Sequence, residues 1–206
     1  CDTTTFSDAL SIIKKYKLEK KLPVGVMDRI NQGIQGNISE TPKKPKIPNY
    51  IVASNKDCLD AMKKKATDMG YSVKVISISG NIKAATQTIK KNVSNKEKSC
   101  LIFGGEPTVE VIGNGKGGRN QELVLRLLKN LQQNNDKMVI SSIGTDGIDG
   151  NTKSAGAIID NFSVDVKTID SYLKSSNSGS FFEKNGGLIQ TGYTRTNLMD
   201  IGIVLQ

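Results

Sequence analysis

The sequence predicts an α/β domain, a layered, largely parallel (mixed) sheet flanked by helices. Three observations carry this. Short apolar runs of strand length alternate with helical patterns of about 10–15 residues. Loops rich in Gly and Asp follow those runs, where an α/β sheet keeps its ligands. At 206 residues and 22.3 kDa the chain suits one large domain or two small ones.

The elements follow in order. Thr5-Phe6-Ser7-Asp8 is a capping-box pattern ahead of a helical run through Tyr16. Residues 33–49 hold three of the five prolines and two glycines, which predicts an extended linker. The expected division is therefore 1–48, helical segment and linker, and 49–206, α/β lobe. Ile51-Val52-Ala53 is expected to be a short buried strand. Ser54 then caps a helix with Asp57 at its third position, Cys58, Met62, Ala66 and Met69 share one face, and Gly70 ends it. Ser72–Ile78 alternates as a strand, and a second helix spans Asn81–Asn92. Cys100-Leu101-Ile102-Phe103 is a buried strand running into Gly104-Gly105, and Val109 and Val111 alternate in the next one. Asn120–Leu131 is a helix with Leu123, Leu127 and Leu131 inward. Met138–Ile143, Ala155–Ile159 and Ile201–Leu205 complete the strands, and Phe181-Phe182 belongs to the core. No internal repeat is visible.

Composition removes whole classes of chemistry. The sequence has no histidine, so no Ser-His-Asp triad, histidine base or histidine metal ligand comes from this chain. Its three cysteines, Cys1, Cys58 and Cys100, form no C-x-x-C pair, which excludes a structural zinc site. An odd, sparse set points to reduced thiols in a cytoplasmic protein. No apolar run approaches the roughly 20 residues of a membrane span. The chain opens with Cys1 and no targeting signal, so a fragment or processed product is expected. The net charge of +9 is uneven: residues 1–98 carry +10 and residues 99–206 carry −1. The basic half is nearly all lysine, including Lys43, Lys44 and Lys46, without the arginines and aromatics that nucleic-acid readers favour. Solvated helix faces are expected, with neither nucleic acid nor membrane as partner. Carboxylates, lysines, arginines, amides and backbone N–H groups remain, and these suit phosphoryl transfer.

Three loops at strand ends carry candidate chemistry. The first is Gly104-Gly105-Glu106. The second, Gly113 to Glu122 (GNGKGGRNQE), puts four glycines in six residues ahead of a helix start, with Lys116 and Arg119 as cationic donors. Glycines let a backbone approach phosphate, and a helix start offers free N–H groups. The alternative is a flexible glycine turn with solvent-facing charges. The spacing fits neither a Walker A loop nor a Rossmann fingerprint. The third, Gly144 to Gly150 (GTDGIDG), offers Asp146 and Asp149, one of them to hold Mg²⁺ or take a hydroxyl proton, or both as ordinary turn residues. A fourth polar loop, Thr191 to Asp200, places Asn197 and Asp200 as ligand contacts or turn caps.

Taken in this order, Gly104-Gly105-Glu106, the GGRNQE segment 117–122, the GTDGIDG segment 144–150 and Thr191-Gly192 with Thr196-Asn197 resemble the C-terminal half of the glycerate 2-kinase family, its MOFRL domain. Thr4-Thr5-Phe6, Asp8-Ala9-Leu10 and Ala53-Ser54-Asn55 fit as well, so the resemblance spans essentially the whole chain. Thr3, Pro107, Tyr193 and Arg195 depart from the family's usual residues. The resemblance implies the C-terminal lobe of a two-lobe enzyme that phosphorylates D-glycerate at its 2-hydroxyl, with ATP and Mg²⁺ as cofactors. It implies an N-terminal lobe of the same protein as partner, with a sugar acid as substrate and a homo-oligomer left open. Without that lobe the chain is expected to be inactive. Arg119 and Asp146 are the expected catalytic residues, Asp146 also the Mg²⁺ ligand. Gly105, Glu106, Lys116, Gly117, Gly118, Asn120, Thr145, Asp149 and Asn197 are the expected binding residues. Within that set Gly117, Gly118 and the helix start cradle phosphate, and Glu106 and Asp149 support Asp146. The competing readings are an NAD(P)H-dependent hydroxypyruvate reductase and a non-catalytic ligand-binding lobe.

Overall fold

The computed structural model describes residues 2–44, 47–131, 137–162, 164 and 166–206. Cys1 and Lys46, named above, lie outside these. The chain divides into two compact units, 1–50 and 51–206.

The first unit is a pair of helices. α1 (Phe6–Lys15) starts on a complete capping box, Thr5 and Asp8 each bonding the other's backbone N–H. α2 (Val24–Ile34) was not evident from the sequence. It takes Gly33 and Ile34 from the expected linker, and Gly33 lies against the Phe6 ring, where a Cβ would sit 2.2 Å from it. Ile13 and Ile30 are the buried residues of the two helices.

The second unit opens with α3 (Asn55–Asp68), capped by the reciprocal Ser54–Asp57 box and ended by Gly70 at φ +83°. β1 (Ser72–Ile78), α4 (Ile82–Asn92), β2 (Ser99–Gly105), α5 (Arg119–Leu131) and β3 (Val139–Gly144) follow. Then come β4 (Gly156–Asp160), a 3₁₀ turn, α6 (Ile169–Lys174), α7 (Ser178–Asn185), the two-residue β5 (Leu188–Ile189) and β6 (Asp200–Leu205).

The six strands form one mixed sheet in the order β1-β2-β6-β3-β4-β5. The α/β class holds, but the parallel share is smaller than expected. Among the described strands only β1 and β2 pair in parallel; β6 enters antiparallel between β2 and β3, and β4 and β5 continue antiparallel. Alternate residues of each strand serve opposite faces. Leu101, Phe103, Ile140 and Val204 pack with α4, α5, Phe181 and Phe182, while Cys100 and Ile102 pack with Leu59 and Ala66 of α3. α5 is buried nearly all round, which marks it as the central helix.

Three local expectations are corrected. Residues 51–53 form no strand, and Ile51 and Val52 are exposed. Three apolar residues make a strand only where a neighbouring strand takes up their backbone groups. Val109 and Val111 lie outside any strand, the segment making only an isolated bridge between Asn81 and Thr108. Met69 caps α3 and is exposed, so the buried stripe of that helix is Leu59 and Ala66.

Candidate functional site

The strand register brings the loops together. Asp200, the first residue of β6, lies opposite Gly105 on one side and Gly144 on the other. Glu106, Thr145 and the turn before β6 therefore gather at one end of the sheet. The N-terminus of α5 points to the same place, because Ser142 of β3 donates to Asn120 at 2.6 Å. There a cavity of about 390 Å³ is lined by Gly117, Gly118, Arg119, Asp146, Asp149 and Gly150, among others.

Arg119 is the central cation. Its Nε and Nη2 donate to the two oxygens of Asp200 at 2.6 and 2.9 Å, and its Nη1 lies 3.1 Å from Glu106. Asp200 is buried, 2% exposed, whereas Glu106 is half in solvent. The hydrogen bonds to Asp200, and then the charges of Asp200, Glu106 and Asp149, raise the guanidinium pKa against the opposing effect of burial.

Asp149 caps α5. It accepts from the Asn120 and Gln121 amides at 2.9 and 2.8 Å and from the Asn120 side chain at 3.3 Å. This is where an anion is favoured at a helix start, and the protein supplies its own. The expected phosphate cradle is corrected accordingly: the amides of Asn120 and Gln121 already serve a carboxylate. The Gly117 amide donates to Asn151 at 2.8 Å. The amides of Gly118 and Arg119 have no acceptor among the described residues.

The glycines have a packing role that the sequence did not disclose. A Cβ at Gly118 would lie 2.3 Å from the Asp149 carboxyl carbon, one at Gly117 2.3 Å from the Ser178 hydroxyl, and one at Gly150 2.1 Å from the Gly117 carbonyl. These loops lie backbone to backbone.

Burial pushes the Asp149 carboxyl up to about 6 from an ordinary 3.8, although the amides of Asn120 and Gln121 favour its charged form. Between those values the folded state holds the proton more tightly than the unfolded chain. The group therefore favours folding at low pH, and that contribution declines as the pH rises through about 6. Relative to Asp149→Asn, wild-type stability is expected to fall from about pH 4 to pH 7. Chemical denaturation across that range checks this, and a wild-type stability that rises with pH relative to the variant refutes it.

Asp146 lines the cavity. Its Oδ1 accepts from the Ile148 amide at 3.1 Å, and Oδ2 has no hydrogen-bond partner among the described residues. The other expected binding residues are placed differently. Thr145 spends its hydroxyl on the Met199 carbonyl and the Leu198 amide, each at 2.7 Å, which ties the acidic loop to the turn before β6. Lys116 pairs with Glu183 of α7 and lies outside this cavity. Asn197 accepts from the Met199 amide at 3.0 Å in the exposed 193–197 turn, beside Asp146. Gly105, at φ +145°, lies against the Ile78 carbonyl, where a Cβ would sit 1.9 Å away. Asp200 was read only as a turn cap or ligand contact. Arg119 lies 81 residues before it, and the pairing follows from the sheet register.

A domain built this way, with a cavity at the strand ends of a mixed sheet, is an α/β domain. Residues 99–200 place it further: they form a MOFRL family domain, and the chain belongs to that family. It is 32% identical to the glycerate 2-kinase of Pyrococcus horikoshii over 99% of this chain and 50% of that protein. It is 33% identical to the D-glycerate 2-kinase of Thermotoga maritima over the same shares. A crystal structure of glycerate kinase from Thermotoga maritima superposes with a TM-score of 0.76 at 33% identity, covering 99% of this chain and 51% of that one. The chain thus spans about half the length of the curated relatives it matches. No helix among the described residues is long and apolar enough to cross a membrane.

Proposed function

We propose that this chain is the C-terminal lobe of an ATP-dependent glycerate 2-kinase, and that it transfers phosphate to the 2-hydroxyl of D-glycerate only together with an N-terminal lobe. Residues 1–48 belong in this reading to the tail of that first lobe. The observation that supports it is the meeting of Arg119, Asp146 and the 117–118 loop at one cavity, in a chain similar to proteins named glycerate 2-kinase.

The residues fit the cofactors. Mg²⁺ takes hard oxygen ligands and is commonly held by one or two carboxylates plus phosphate. Asp146, with one oxygen unengaged, would hold it; Asp149 and Asp200 are committed to the α5 start and to Arg119. The phosphates of ATP would meet the Arg119 guanidinium and the Gly118 and Arg119 amides. Bound Mg²⁺ neutralises charge on the phosphate oxygens. Among the described cavity-lining residues Arg119 stands with Glu122, Asp146 and Asp149, so the balance for a triphosphate comes from the metal and the other lobe.

The chain's own residues then divide the work. Arg119 stabilises charge on the transferring group or holds the glycerate carboxylate. Asp146 accepts the hydroxyl proton where it does not serve the metal. Asp149 holds the helix that carries Arg119, and Thr145 holds the loop that carries Asp146. The protein works in the cytoplasm in this reading.

ADP release with D-glycerate and MgATP is measured for residues 1–206 and for a chain that includes the N-terminal lobe. The longer chain is expected to turn over and the shorter to show negligible activity. Equal turnover refutes the lobe reading. Oxidation of NADH by hydroxypyruvate, without ADP release, assigns the site to a reductase instead.

A further inference from the structure

Resting on the kinase reading, we propose that Asp200 is a positioning residue: it fixes the plane of the Arg119 guanidinium so that the remaining N–H groups meet an oxyanion, the substrate carboxylate or a nucleotide phosphate. Guanidinium has five N–H donors. Asp200 takes two of them, from Nε and Nη2, in the parallel geometry that sets orientation as well as energy. Nη1 faces Glu106, which is exposed and held by one contact, so an incoming oxyanion can replace it.

The surroundings favour orientation over stability. Asp200 is flanked in the sheet by Gly105 and Gly144, and a Cβ at Gly144 would lie 3.6 Å from its Oδ1. Its backbone is held by the Asn55 side-chain amide, which donates to the Asp200 carbonyl at 3.0 Å and to the Leu198 carbonyl at 2.7 Å. A buried ion pair gives a fold little that apolar residues of the same volume would not give. Here the two ions hold a planar group in one attitude at a cavity wall.

The test uses the two-lobe protein, with ADP release measured while glycerate and MgATP are varied separately. Arg119→Ala is expected to lower kcat by about 10³-fold or more. Added guanidinium ion is expected to restore part of that activity, because Asp200 still offers two oxygens to a planar fork; methylammonium restores little. Asp200→Asn is expected to lower kcat by about 10–100-fold, as loss of an orienting partner does at other sites. In Arg119→Ala/Asp200→Asn the guanidinium rescue is expected to vanish. Equal rescue by the two ions, rescue that survives loss of Asp200, or wild-type kcat in Asp200→Asn overturns the proposal. The comparison of the two ions involves no change at Asp200 and stands even if Asp200→Asn does not fold. Should neither ion rescue, the losses from Arg119→Lys and Asp200→Asn decide: a double variant no worse than Arg119→Lys supports positioning, and additive losses refute it. Wild-type turnover in Arg119→Ala would instead defeat the kinase site itself.

Discussion

Arg119→Lys in the two-lobe protein is expected to lower kcat by about 10³–10⁵-fold, the range a transition-state arginine commands in phosphoryl transfer. Lysine keeps the charge, so buried Asp200 retains a cationic partner and the fold is expected to survive. An ammonium is a point charge on a flexible stem. It cannot give Asp200 two parallel bonds and still face the position of Glu106, as Arg119 does. The distribution of the loss identifies the anion. A fall in kcat places the interaction on the transferring phosphoryl group, and a rise in KM for glycerate alone places it on the substrate carboxylate. Wild-type constants for both substrates, with a lowered melting temperature, would reduce Arg119 to a structural ion pair.

The second large effect is expected at Asp146. Asp146→Asn should lower kcat by about 10²–10⁴-fold, the usual contribution of a positioned general base, while leaving the thermal transition near that of wild type. The amide oxygen can still accept from the Ile148 amide, which is the side chain's contact in the turn. It cannot take a proton or carry the charge a divalent cation favours. If Asp146 acts as the base, saturating Mg²⁺ leaves the loss unchanged. If it holds the metal, raising Mg²⁺ restores part of the rate. Unchanged kcat at ordinary Mg²⁺ would move both roles elsewhere.

Much of the chain was legible because its signals are local. The Thr5–Asp8 and Ser54–Asp57 boxes, the leucine stripe of α5 and the buried pair Phe181-Phe182 each follow from residues a few positions apart. The failures are non-local. Nothing between Asp200 and Leu205 tells an apolar run to enter antiparallel between β2 and β3, since both sheet types accept it. Residues 51–53 and Val109–Val111 have strand composition, but composition does not supply a neighbour. The candidate site was half legible for the same reason. Arg119, Asp146 and Asp149 stand out by motif, whereas Asp200 enters only through register. The glycines of 113–118 carried two readings, close approach to a ligand or a loose turn. The contacts at Gly117 and Gly118 show a third, close approach of one loop to another.

The place of β6 has a consequence for how the lobe comes into being. Among the described strands, β6 alone joins the β1-β2 pair to the β3-β4-β5 group, and it follows both in the chain. During synthesis those two halves exist for a time as separate pieces with unfilled edges, a state open to wrong pairings. The contacts that end this state are of long range, Val139 with Leu205 on one side and Cys100 with Leu205 on the other, and contacts of long sequence separation form slowly. Asp200 arrives on the same strand. Arg119 therefore meets its carboxylate only when the sheet is finished.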